Sequence, residues 1–445
     1  MNYIPNTDED RSKMLSAIGE KDVESLFRDI PEASRSRSLP DIPEALDEIA
    51  LVKEMKSLSA KNTGLSGSVS FLGGGAYNHF IPSVVRHITS RSEFYTAYTP
   101  YQAEMSQGLL QAIYEYQTMI CNLTGMDVSS ASHYDGGTAL AESAVLSCNH
   151  TGRREVLVSE AVNPNYREVL KTYSLGGKFS VIETAVKNGV TDAERLRSAI
   201  SENTACVILQ TPNFFGCMEE MAEIEKMAHS KGALLVSSVD PISLGILASP
   251  REYGADVVVA EGQSLGNGLN FGGPYLGIFA VRKELVRLLP GRVVGLTRDH
   301  DGKRGFVLTL QAREQHIRRE KAASNICSNQ AMCALAAAVY LSFVGEKGLG
   351  TIARACLSAS SYAKQKISEL KGYSIPFSSA TFKEFVVKTP ISPEKINKKL
   401  FDKGIIGGFD IGRAYKGLEG HMLFCFTEMN AKADIDRLIS VLSDV

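Results

Sequence analysis

Between about residues 66 and 300, short apolar runs alternate with amphipathic stretches of helical period, and this alternation limits the chain to very few architectures. Runs of Val, Ile, Leu and Ala predict strands at 155–159, 179–183, 205–210, 233–239, 256–260 and 275–281, with helices between them. The helix expected at 193–201 opens on Thr191-Asp192-Ala193-Glu194, which has the spacing of a capping box. Parallel neighbours need a crossover between them, so strand–helix–strand repetition implies a mostly parallel sheet covered on both faces. Ligands of such sheets bind beyond the carboxyl ends of the strands. Asp240, just after the 233–239 strand, and Gln263, just after the 256–260 strand, both fall there.

These two positions conflict. A buried parallel strand ending in a carboxylate, Ala233 through Val239 and then Asp240, is the arrangement that protonates the ring nitrogen of pyridoxal phosphate and makes the ring an electron sink. That chemistry also needs a lysine amine to form an imine, expected after the next strand. The chain offers Glu261-Gly262-Gln263-Ser264-Leu265 instead, and has no lysine between Lys231 and Lys283. Neither an amide nor a hydroxyl forms an imine. Either the fold has lost its chemistry, or the reactive lysine sits on another chain.

The flanks differ from this centre. Up to about residue 65 the pattern is helical: Thr7 can cap a helix over 9–18 that Gly19 stops, and Pro43, after Asp41, opens a second one through Leu46, Ile49, Val52 and Met55. This arm has too few apolar residues for a core and is suited to clasping another domain or subunit. Beyond about 300 come a helix around 332–343, strands at 382–387 and 421–426, and helices at 393–403 and 433–442, the pattern of a compact α+β domain. The expected division is thus an arm over 1–65, a large α/β domain over 66–300 and a C-terminal α+β domain over 301–445.

Composition excludes several classes. A chain of 445 residues, 44% hydrophobic and 22% charged, is globular and long enough for two or three domains. Its net charge of -2 gives no electrostatic reason to expect nucleic acid or an anionic membrane as partner. Eight cysteines, with no C-x-x-C pair and no Cys/His ligand spacing, read as free thiols of a reducing cytoplasm rather than disulfides or a metal site. Asp8, Glu9 and Asp10 close to the start do not suit a signal peptide. The apolar run 331–344 is shorter than the about 20 residues a bilayer needs, so a buried helix is expected.

Several motifs carry two readings. In Tyr134-Asp135-Gly136-Gly137-Thr138, two glycines at a helix start expose N–H groups that favour a phosphate, while tight-turn geometry explains the same glycines equally well. Gly73-Gly74-Gly75 lacks dinucleotide-binding spacing and reads as a turn that places Tyr77 and His79. Tyr98-Thr99-Pro100-Tyr101-Gln102-Ala103-Glu104 combines aromatic walls with a few polar groups, as a small polar ligand requires; on spacing alone, an exposed helix start with Pro100 near N1 accounts for it better. The run Gln315 to Lys321, followed by Ser324-Asn325, is a solvated helix face or an anion or subunit contact. His150, His229 and His421 read as structural or surface residues.

Taken together, Tyr3-Ile4-Pro5-Asn6-Thr7, Phe71 to Tyr77, Tyr98 to Gln102, Gln210-Thr211-Pro212-Asn213-Phe214-Phe215-Gly216, Glu261 to Gly266 and Arg313 to Lys321 span nearly the whole chain. They resemble glycine dehydrogenase (decarboxylating), the aminomethyl-transferring P-protein of the glycine cleavage system, and within it the smaller first subunit of the two-subunit form. The resemblance implies fold type I of the pyridoxal-phosphate enzymes, the aspartate aminotransferase-like architecture. It also implies a partner, subunit 2, that carries the cofactor lysine, in a heterodimer that dimerises again.

The reaction implied is decarboxylation of glycine and transfer of the remaining aminomethyl group to the lipoyl arm of the H-protein. By that analogy Tyr98, Thr99, Tyr101, Gln102 and Glu104, with Tyr77 and His79, line the glycine pocket or the lipoyl tunnel. Arg318, Arg319, Lys321, Ser324 and Asn325 meet the subunit boundary. Asp240, Gln263, Ser264, Gly136, Gly137 and Thr138 are vestigial cofactor positions, and pyridoxal phosphate is held by the partner and not covalently by this chain. Two other classes remain: a self-sufficient enzyme using Lys171 or Lys178, both well before the Asp240 strand, and a non-catalytic scaffold or regulator that keeps the fold.

Overall fold

The computed structural model describes residues 5–36, 41–65, 67–95, 99–322, 324–326 and 329–445. The chain divides into two units, Met1–Thr63 and Gly64–Val445. In the first unit, helix α1 (Asp8–Ala17) starts from a reciprocal cap: the Thr7 hydroxyl accepts the Asp10 N–H at 3.1 Å, and the Asp10 carboxylate accepts the Thr7 N–H at 2.9 Å. Helix α2 (Glu48–Ser59) begins later than Pro43 suggested. Asp47, not Asp41, caps it, accepting the Ala50 N–H at 2.7 Å. Proline only tolerates a helix start, whereas a side-chain acceptor satisfies its orphan donors.

The second unit is built on a seven-stranded sheet of β1 (Val128–Ser129), β2 (Glu155–Ser159), β3 (Ser180–Thr184), β4 (Thr204–Thr211), β5 (Leu234–Val239), β6 (Val257–Glu261) and β7 (Gly277–Val281). Their order is β1-β7-β6-β5-β4-β2-β3. β7 runs antiparallel to both its neighbours and every other pair is parallel. Each expected strand is present, with ends moved by two residues at most.

Alternation within the central strands feeds two cores. Leu235, Val258 and Ala260 pack with Ala336, Ala337 and Tyr340 of α4 (Ala331–Ser368) on one face. Val236, Val257 and Val259 pack with Leu140 and Ala144 of α3 (Gly136–Thr151) on the other. Burial on both faces explains why these strands read as continuous apolar runs.

Among the described residues α4 is the one helix long and apolar enough to cross a bilayer, and its segment 334–338 lies buried in the core. It breaks at Gly345, whose φ of 59° and ψ of -177° are not helical, so the expected 332–343 helix is its first arm. The capping box at 191–194 is not formed. Asp192 caps Ala193–Ala199 by accepting the N–H groups of Glu194 and Arg195, and the Thr191 hydroxyl turns instead to Ser159 at 2.7 Å. C-terminally, an antiparallel sheet of β8 (Glu384–Lys388), β9 (Phe409–Asp410) and β10 (His421–Cys425), in the order β8-β10-β9, encloses a third core. The residues entering β8 reach the carboxyl ends of the large sheet.

Candidate functional site

At the end of β5, Asp240 divides its carboxylate between two duties. Oδ1 accepts the Ile242 N–H at 3.0 Å, and Oδ2 lies 2.6 Å from the Lys383 ammonium. The Lys383 side chain is only 2% exposed, and its three hydrogens meet three acceptors: Asp240, His79 Nε2 at 3.1 Å and the face of the Tyr77 ring, 3.5 Å to its centre. Burial opposes the charge, but the Asp240 carboxylate holds the lysine pKa above its ordinary value.

His79 is neutral. Burial and the adjacent Lys383 charge lower its pKa, and a ring nitrogen facing an ammonium must accept, which leaves Nδ1–H to donate to Glu428 at 2.7 Å. Burial pushes the Glu428 carboxyl up, yet the His79 bond and the Phe80 N–H at 2.7 Å hold it down to about 2. The Tyr77 hydroxyl donates to Glu384 at 2.8 Å, which also accepts the Gly74 N–H at 2.7 Å. Burial brings Glu384 up to about 7.

The glycine turn places Tyr77 and His79 as expected, and for a steric reason. Gly74 and Gly75 hold φ of 86° and 127°, and a Cβ on Gly73 would collide with the Glu384 carboxylate. Gln263 stands where a cofactor lysine was expected. Its amide donates to the Tyr77 carbonyl at 3.0 Å and the Asn267 carbonyl at 2.8 Å, and accepts the Tyr77 N–H at 2.8 Å. The Ser264 hydroxyl is buried and has no hydrogen-bond partner among the described residues.

At the start of α3, Asp135 accepts both the N–H and the hydroxyl of Thr138 at 2.7 Å, and Glu261 accepts the Gly136 N–H at 3.0 Å. The glycines are needed for packing: a Cβ on Gly136 would lie 2.8 Å from the Tyr166 hydroxyl. A bound pyridoxal phosphate needs a free amine, free amide donors for its phosphate, and room for a ring beside Asp240. The lysine beside Asp240 is paired as an ammonium, the Gly136 and Thr138 N–H groups are taken by Glu261 and Asp135, and the space beside Asp240 is about 30 Å³, so these residues do not fit that cofactor.

The sequence thus brings together Tyr77, His79, Asp240, Gln263, Ser264 and Gly136–Thr138 at the strand ends, but not the aromatic segment. There, Arg292 is buried, with Nη1 3.4 Å from the Thr99 hydroxyl and Nη2 3.3 Å from that of Tyr101. Its Nε is 3.8 Å from Glu314. Thr99, Arg292, Asn329 and Gln330 line a cavity of about 200 Å³. Gln330 also lines one of about 440 Å³ beside Tyr134, Asp135 and Glu261.

Gln102 and Glu104 are exposed, and Tyr98, like Tyr3, Ile4 and Cys327, lies outside the described residues. Pro100 is not at a helix start, because the helix Gln107–Thr124 begins later. Arg318, Arg319, Lys321 and Asn325 are exposed on and after the short turns Gln315–Arg318 and Arg319–Lys321, while Ser324 is half-buried beside Arg313 and Glu314. Lys171 pairs with Glu168 and Glu183, away from the site. Sequence reasoning missed Lys383, Glu384, Glu261 and Arg292. A signal existed for the first two: adjacent opposite charges inside the apolar run Phe382 to Val387.

The family model described as Glycine cleavage system P-protein matches residues 1–442. The chain belongs to the P-protein family. Among its relatives, the "Probable glycine dehydrogenase (decarboxylating) subunit 1" of Desulfitobacterium hafniense is 53% identical over all of both chains, and that of Moorella thermoacetica 52%. A solved glycine decarboxylase (P-protein) of the glycine cleavage system, in inhibitor-bound form, is 40% identical with a TM-score of 0.92 over the full length of both chains. A sphingosine-1-phosphate lyase of Burkholderia pseudomallei, at 14% identity and a TM-score of 0.67 over 93% of this chain and 94% of its own, shares the fold alone. The architecture of this P-protein chain is fold type I of the pyridoxal-phosphate enzymes, and the chain is a subunit of the glycine cleavage P-protein.

Proposed function

We propose that this chain is the lysine-free first subunit of a two-subunit P-protein, and that a homologous partner holds pyridoxal phosphate through its own lysine. The pair decarboxylates glycine and passes the aminomethyl group to the lipoyl arm of the H-protein. Two such pairs assemble into a cytoplasmic heterotetramer, with the arm and the segment 318–325 against the partner.

The observation that carries this reading is the state of the two positions where an imine could arise. Gln263 has no amine and is bound to Tyr77 and Asn267. Lys383, the lysine beside Asp240, is kept an ammonium by that carboxylate, whereas an imine-forming lysine must be a free amine. Names of relatives support the subunit role.

The test treats the isolated chain with pyridoxal phosphate, reduces with borohydride and locates adducts by mass spectrometry. No stoichiometric single-site adduct is expected, and adding the chain to its partner should restore glycine decarboxylation. A stoichiometric pyridoxyl-lysine in this chain, at Lys383 or elsewhere, overturns the two-chain reading.

A further inference from the structure

We infer that the chain has built an internal replacement for the cofactor into its own fold: the Lys383 ammonium takes the place of a pyridinium against Asp240, and the Glu261 carboxyl the place of a phosphate on the Gly136 N–H that opens α3. The inference deepens the two-chain reading and rests on it for the identity of the ligand excluded.

Three features support the substitution. First, both oxygens of Asp240 are in use, one on the Ile242 N–H and one on Lys383. A ring nitrogen would have to displace a buried cation whose three donors are all satisfied. Secondly, Glu261 gathers the donors a phosphate would use: Oε2 accepts the Gly136 N–H at 3.0 Å, and Oε1 accepts the N–H groups of Gln263 and Leu276, each at 3.0 Å. Thirdly, little room remains. The space between Tyr77, Asp240, Lys383 and Glu261 is about 30 Å³. Small-molecule pockets run to about 300 Å³ or more, so a ring is excluded by roughly an order of magnitude.

The filling is self-consistent. An empty pocket would leave Asp240 a buried, unpaired carboxylate and the α3 start with orphan donors, both costly. Lys383 removes the first cost and Glu261, on the Gly136 N–H, reduces the second together with Asp135 on that of Thr138, while Gln263 clamps the Tyr77 backbone so that its ring covers the ammonium. The larger cavity of about 440 Å³ adjoins this space, sharing Gly75, Asn163, Tyr166 and Glu261 with it, but is not lined by Asp240 or Lys383, so a ligand confined there does not meet the Asp240 carboxylate.

The probe is pyridoxine 5′-phosphate, which keeps the ring nitrogen and the phosphate but has no aldehyde, so imine formation does not enter. By equilibrium dialysis the wild-type chain should show no saturable binding up to about 1 mM, and the Lys383→Ala/Glu261→Gln double variant should bind at least about tenfold below that limit with a rise in Tm on addition. Saturable wild-type binding overturns the inference, and so does a folded double variant that does not bind.

If the double variant does not fold, amine labelling of the wild-type chain decides: acetic anhydride should label Lys171 and Lys178 but leave Lys383 unmodified until the chain is unfolded. Rapid native labelling of Lys383 overturns it. Failure of the two-chain reading is distinct, since it appears as a borohydride-trapped adduct that this probe cannot form.

Discussion

Two buried cations in this molecule are housed in opposite ways. Lys383 gives all three of its hydrogens to Asp240, His79 and the Tyr77 ring, at separations between 2.6 and 3.5 Å. Among the described residues Arg292, with five donors, makes only two contacts of hydrogen-bond length, at 3.3 and 3.4 Å, both near the outer limit; Glu314 stays at 3.8 Å with its other oxygen unpartnered there. Native chains satisfy their buried polar groups, so a saturated cluster is complete within one chain and an undersupplied one awaits groups from outside. The vestigial pocket is therefore the finished part of the chain, and the cluster of Arg292, Thr99 and Tyr101, the first two of which line a cavity, the unfinished part.

The comparison breaks most readily at Lys383. Replacing it with methionine leaves Asp240 buried without its counter-charge, which should cost about 3–5 kcal/mol in urea unfolding of the chain. Lys383→Met/Asp240→Asn should recover part of that loss, because the stranded charge is gone. A loss below about 1 kcal/mol would mean that Asp240 finds another partner and the pocket is not closed by this pair.

Next in size is Tyr101→Phe, which removes a hydroxyl that Arg292 holds only loosely. In complex with the partner and H-protein, exchange of labelled CO₂ into glycine should fall by about 10²-fold, roughly 2.7 kcal/mol. Complex size and cofactor absorbance should not change. Unaltered exchange would show that the undersupplied cluster is not completed by the reaction.

Acidity separates the two regions more gently. Glu384, in the closed pocket, has its pKa raised by burial to about 7, against 4.5 ordinarily. The folded chain thus keeps a proton that the unfolded chain releases between those values. This stabilising contribution is complete below 4.5, declines as pH rises through 7 and then levels off, at no more than about 1.4 kcal/mol per pH unit. Glu384→Gln should flatten the stability profile over that window. An unchanged slope would remove Glu384 from the account.

Much of this was legible from local pattern. Apolar runs located every strand of the sheet named from sequence, and Asp240 and Gln263 sit at the carboxyl ends as the alternation requires. The glycine turn delivered Tyr77 and His79. What was not legible depended on a choice between nearby acceptors or on distant pairing. Asp47 outcompetes Asp41, and Asp192 outcompetes Thr191, because capping is decided by which side chain reaches the free N–H groups. The Lys383–Asp240 pair joins the ends of two strands in different sheets, and no periodicity reports that.

The smallest expected effect tests whether the closed pocket has any vacancy left. Ser264 is its exception: a hydroxyl 3% exposed in its residue, with no hydrogen-bond partner among the described residues, next to the fully bonded Gln263. An unsatisfied buried hydroxyl contributes desolvation cost and no bond, so removing it costs only the little packing its oxygen provides. Ser264→Ala should therefore leave stability within about 0.5 kcal/mol of wild type, or raise it slightly. Loss of more than about 1 kcal/mol in urea unfolding would mean that the hydroxyl has a bound partner in solution. The pocket would then hold something besides its own side chains, and its contrast with the Arg292 cavity would be one of degree only.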